Sequence, residues 1–94
     1  MNKTFALTQT PEEIRRDIVG RVRQRRKAMG LSQQRLAAKS GVSLGSVKRF
    51  ERTGEISLTS LIKIAFALES EDDFLKLFES QYYTSIQEII DAQH

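Results

Sequence analysis

Cysteine is absent from the 94 residues, and histidine occurs once, as His94. The first absence excludes a disulfide framework, a thiolate nucleophile and a cysteine-based zinc site. The second removes histidine-dependent acid–base or triad chemistry from any core. The sequence also holds no glycine-rich phosphate loop and no metal-ligand spacing. Its one carboxylate cluster, Glu71-Asp72-Asp73, stands at an expected helix start, where the helix dipole accounts for it. An enzyme is therefore the weakest function class, and no cofactor or metal is expected. No apolar run approaches the roughly 18–20 residues of a membrane span, and the first residues lack the apolar core of a signal peptide. A cytoplasmic protein with no membrane partner is expected.

Acidic residues are scarce in the first half. Residues 1–54 carry 13 Lys and Arg against 4 Asp and Glu, a net +9, while residues 55–94 carry 2 against 8, a net −6. The formal charge of +3 hides this division. A chain with a basic half and an acidic half steers its basic end onto a polyanion. Arg15, Arg16, Arg21 and Arg23 spread around more than one face of a helix, so they cannot all touch one ligand; a solvated face accounts for them equally well.

What is present reads as one all-α domain of five short helices, 10–79, between an N-terminal arm, 1–9, and a tail, 80–94. The alternation Thr4-Phe5-Ala6-Leu7-Thr8 suits a short strand or an arm packed on the body. Thr10, Pro11 and Glu13 form a helix start, with Pro at the first helical position and an acid at the third. That helix runs to about Met29, with Ile14, Ile18 and Val22 as its buried stripe, and Gly30 ends it. Ser32 caps the second helix, which turns Leu36 and Ala37 inward. Ser57 caps the fourth, where Leu58, Leu61, Ile64, Ala65 and Leu68 repeat at helical spacing. A fifth, from about Glu71 to Glu79, is expected to bury Phe74, Leu77 and Phe78. In the tail, Ser85 and Glu88 make a capping-box pattern ahead of Ile89 and Ile90, a short amphipathic helix too small to stand alone. Its own domain, a second subunit or a different protein are all open as its support.

The segment from Gln33 to Arg52 reads as a helix-turn-helix. Two helices crossing at close range need a small side chain at the contact, and Ala37 stands there. Gly41 supplies a turn position that tolerates positive φ. Val42, Val47 and Phe50 hold the second helix of the pair against the first, Ser43 caps it, and Lys48, Arg49 and Arg52 are left outside. A cationic outer face on a helix held in this way fits the major groove of double-stranded DNA. An ordinary αα-hairpin explains the spacing but not the charge asymmetry, and a module that binds only protein has no need of a cationic recognition face.

These residues, from about Gly20 to Leu68, resemble the Cro and lambda-repressor type of helix-turn-helix domain, also called the xenobiotic-response-element (XRE) family. The likeness is carried by Arg26…Gly30-Leu31-Ser32-Gln33, Leu36-Ala37, Gly41-Val42-Ser43, Val47…Arg49-Phe50-Glu51…Gly54 and Ser57-Leu58…Leu61…Ile64-Ala65…Ala67-Leu68. It implies a lambda-repressor-like fold and a sequence-specific repressor. By the same resemblance Arg26 and Glu51 form a structural ion pair, and Gln33 clamps a DNA phosphate at a helix N-terminus. Ser43 is a second phosphate donor, although capping is its safer role.

Base reading falls to the outward positions Leu44, Gly45, Lys48 and Arg49, with Ser46 nearby. Arg49 is the leading reader, because a guanidinium bonds G O6 and N7 together. A base and a phosphate are equally open for Lys48. Leu44 departs from phage repressors that place a polar residue there, and a thymine methyl is its natural contact. Gly45 lets the backbone approach, and Arg52 holds the phosphate backbone. Relatives of this type usually bind palindromic sites as homodimers; helix five with Phe74 and Phe78 and the Phe5–Leu7 arm are the candidate interfaces. The stretch 43–68 with its acidic, Phe-rich continuation looks most like HipB-type proteins. That implies an antitoxin repressing its own toxin–antitoxin operon, with a HipA-family kinase toxin as a further partner. A phage-type repressor or a restriction–modification controller shares the same core.

Overall fold

Four hydroxyls set the helix starts. In the computed structural model, which describes residues 9–80 and 90–93, the helices are α1 (Pro11–Ala28), α2 (Gln33–Ser40), α3 (Leu44–Thr53), α4 (Leu58–Ala67) and α5 (Glu71–Leu75). Thr10, Ser32, Ser43 and Ser57 each accept a hydrogen bond from the backbone N–H three residues on, satisfying a donor that has no partner inside the helix. At Thr10 the bond is reciprocated: the Glu13 carboxylate accepts from the Thr10 backbone N–H at 3.1 Å, completing a capping box. The stops are equally local. Gly41 and Gly54 take left-handed φ values of 76° and 80° after α2 and α3. Among the described residues there is no strand, and no helix is long and apolar enough to cross a membrane.

The core lies where α2, α3 and α4 meet. Leu36, Val47, Ile64 and Leu68 are its fully buried large side chains, with Ala37, Val42 and Ala67 between them. Small residues at Ala37 and Ala67 let the helices approach closely enough for the larger ones to interlock. Met29, Leu31, Leu44 and Ile56 close the margins. α1 packs on α3, and α5 packs on α4.

Two expectations are corrected. The stripe on α1 is not buried along its length: Val22 is half-buried, but Ile14 and Ile18 are 45% and 38% exposed. They face the right way, since Pro11, Ile14 and Ile18 look across a groove at Phe50, Ile56, Leu58 and Leu61. The groove is open, about 490 Å³, because the first turns of α1 stand off from α4. The last helix is also shorter than expected. α5 ends at Leu75, Phe74 is half-buried, Leu77 is exposed, and Phe78 is 93% exposed with a left-handed φ of 59°. Ser70 makes no side-chain cap, and Leu75, Leu77 and Phe78 stay exposed, so a helix of this length gains too little to extend. The Thr4–Thr8 alternation lies outside the described residues, as do Tyr82, Tyr83, Ser85 and Ile86. Of the expected tail helix, residues 90–92 are helical.

Candidate nucleic-acid interface

α3 divides cleanly into two faces. Val47 and Phe50 sit in the core, and Lys48, Arg49 and Arg52 are exposed on the other side. One acid interrupts this pattern, and its position explains how a cationic helix carries it. Glu51 points inward, with its side chain 2% exposed. Arg26 donates to it twice, Nε to Oε2 at 2.7 Å and Nη2 to Oε1 at 2.9 Å, the planar two-point match that arginine makes with a carboxylate. Gln33 Nε2 donates to Oε1 at 3.0 Å. Arg23 lies 3.5 Å away through Nε and donates through Nη2 to the Glu51 carbonyl at 3.2 Å. Burial pushes the Glu51 carboxyl up, but the hydrogen bonds from Arg26 and Gln33 and the charges of Arg26 and Arg23 outweigh it, leaving its pKa below the ordinary value. Arg26 spends its remaining reach on the Leu31 carbonyl at 2.8 Å, tying α1, the α1–α2 turn and α3 together.

The other sequence-derived positions fall as follows. Ser43 is a cap: its hydroxyl accepts from the Ser46 N–H at 3.1 Å and donates to Ser46 Oγ at 2.8 Å. Gln33 turns its amide toward Glu51 rather than standing free, which leaves a second N–H and the start of α2 for an anion. Leu44 is half-buried and packs against the core, so it is not the fully outward position its spacing suggests. Gly45 is exposed, and a Cβ there meets nothing within 4 Å, so the missing side chain answers no need of the fold. Lys48 and Arg52 make no ion pair among the described residues.

Arg49 is different. Its Nη2 lies 2.6 Å from Glu55 Oε1, and both side chains are exposed, 62% and 54%. Sequence reasoning missed Glu55 as its partner.

The arginines of α1 are sorted by the fold. Arg15, Arg16 and Arg23 line a groove with Arg52 and Gly54, on the α3 side, while Arg21 lines the opposite groove with Leu61 and Phe74. A Cβ on Gly54 would stand 2.6 Å from Arg15 Cγ, so the turn after α3 is pressed against α1. Arg25 donates through Nε to the Leu68 carbonyl at 3.0 Å, an acceptor at the end of α4 that the Ser70 hydroxyl also serves at 3.1 Å. Nothing in the sequence pattern pointed to this bond.

Compared with known families, residues 22–75 match a model described as Helix-turn-helix, which runs from the middle of α1 to the end of α5 and covers more than half of the chain. Curated proteins and solved structures give no match.

Proposed function

The chain belongs to the XRE-type helix-turn-helix family and is a DNA-binding transcription regulator; from that premise we propose that it represses its own toxin–antitoxin operon, as a HipB-like antitoxin component bound to a palindromic operator as a homodimer. The observation that carries the DNA-reading part is the division of α3. Its acid is drawn inward by Arg26 and Gln33, and its three cations face out.

In this reading Arg49 is the principal base reader, worth about 1–3 kcal/mol of discrimination at one base pair. Lys48 and the open backbone at Gly45 enter the groove beside it, and Leu44 offers what remains of its surface to a thymine methyl. Gln33, the Ser43–Ser46 turn and Arg52 hold phosphates. About four or five such contacts per subunit make binding steeply salt-dependent. Support for a kinase-toxin partner comes from the resemblance of residues 43–68 and from the acidic end of the chain, where Leu75, Leu77 and Phe78 are exposed beside Glu71, Asp72 and Asp73.

The test is binding to a labelled duplex from the gene's own upstream region across a salt series, for wild type and Arg49→Ala. Palindrome-dependent binding, with a steep salt slope and a loss confined to particular bases in the variant, supports the reading. Weak binding indifferent to sequence and to Arg49 overturns it. Co-purification of the neighbouring gene's product through residues 55–94 tests the antitoxin part separately.

A further inference from the structure

Glu55 is an acid paired with an outward side chain of α3, Arg49. An exposed ion pair of this kind adds little to stability, so folding alone gives it little purpose. Its position is nevertheless built. Gly54, at φ 80°, turns the chain back on itself at the end of α3. Thr53 Oγ1 donates to the Arg49 carbonyl at 2.8 Å and accepts from the Glu55 N–H at 3.1 Å. The backbone of Glu55 is thereby pinned to the turn of helix that carries Arg49, and its carboxylate closes on Arg49 Nη2 at 2.6 Å.

We propose that Glu55 is a specificity-determining positioning residue, which holds the Arg49 guanidinium in the orientation that reads a guanine. The inference rests on Arg49 reading a base, as proposed above. A guanidinium carries five N–H donors in one plane. Glu55 engages the Nη2 end and leaves the Nη1 donors and the second Nη2 hydrogen for the two acceptors of guanine, O6 and N7. Without the carboxylate, an exposed arginine side chain spreads over many rotamers and reaches phosphates as readily as bases. The carboxylate also repels the phosphate backbone. The arrangement therefore lowers affinity for DNA in general and raises the preference for the right sequence, opposite signs in two measurable quantities.

The test uses the full chain and duplexes that the wild-type protein selects from a randomised pool. Affinity is measured for the selected site, for its variants at every base pair, and for an unrelated duplex. The proteins are wild type, Glu55→Gln, Arg49→Ala and the double variant. Glu55→Gln is expected to keep the wild-type melting temperature and to bind the unrelated duplex more tightly. Its discrimination at the base pair that Arg49→Ala relaxes should fall by about 2- to 5-fold, the range of an exposed pair. Other base pairs keep theirs, and in the Arg49→Ala background Glu55→Gln changes discrimination nowhere. If Arg49→Ala relaxes one base pair but Glu55→Gln leaves it unchanged, or weakens all sequences alike, Glu55 has no positioning role. If Arg49→Ala relaxes no base pair, the reading of Arg49 fails, and the role of Glu55 falls with it.

Discussion

Arg26 and Glu51 meet across 25 residues of chain through two parallel hydrogen bonds, and both side chains are almost wholly buried. The pair joins the end of the first helix to the helix that faces DNA. Removing one partner leaves the other charged and dry. Arg26→Met is expected to cost about 3 kcal/mol of unfolding free energy, the low end for a broken buried pair, because Arg23 and Gln33 still serve Glu51. Arg26→Met with Glu51→Leu should cost less than Arg26→Met alone. Urea denaturation of the two variants checks both the size and the order.

The same carboxylate makes stability depend on pH. Its pKa is lower folded than unfolded, so its contribution is complete above the ordinary value of 4.5 and is lost as pH falls from there through the folded value. Glu13, lowered by hydrogen bonds from the Thr10 backbone and hydroxyl, acts with the same sign. Glu51→Gln should therefore flatten the acid limb of a stability–pH curve without abolishing it. Denaturant midpoints from neutral pH into the acid range measure this.

Gly54 and Gly45 are expected to respond in opposite ways to alanine. At Gly54 an alanine meets both a left-handed φ and the Arg15 stem, and the backbone part alone costs about 1–2 kcal/mol. Adding Arg15→Ala should relieve the clash but not the backbone cost. At Gly45 the added methyl has open space within a helix, so alanine stabilises by up to about 1 kcal/mol. If the backbone approaches DNA there, Gly45→Ala should melt higher and bind its operator more weakly. Thermal melts paired with binding curves separate the two effects.

Arg52 and Arg49 should be told apart by salt. Arg52→Ala, as loss of a phosphate contact, is expected to weaken binding to all sequences about equally and to lower the salt slope by about 1. Titrations at a series of salt concentrations, on selected and unrelated duplexes, check it.

Much of this was readable from residues close together in the chain. The caps at Thr10, Ser32, Ser43 and Ser57 are local: a hydroxyl and a backbone N–H three residues on settle each one. The left-handed glycine at 41 is equally local, and the Arg26–Glu51 pair was legible through a family resemblance. Ile14 and Ile18 were misjudged because periodicity gives the face of a helix but not how near its neighbour lies. α5 was overextended for a related reason: Leu77 and Phe78 continue an apolar pattern yet stay exposed. Arg25 on the Leu68 carbonyl and Glu55 on Arg49 depend on where helix ends and turns come to rest in space, and residue spacing carries no trace of that.

The bond from Arg25 to Leu68 has a mechanical consequence. Its acceptor is the last carbonyl of the α4 cap, ahead of Ser70 and of everything in α5. A link from α1 to α4 is thus closed before α5 begins. α5 packs on α4 beyond this bond, so the link between α1 and α4 through Arg25 does not run through α5.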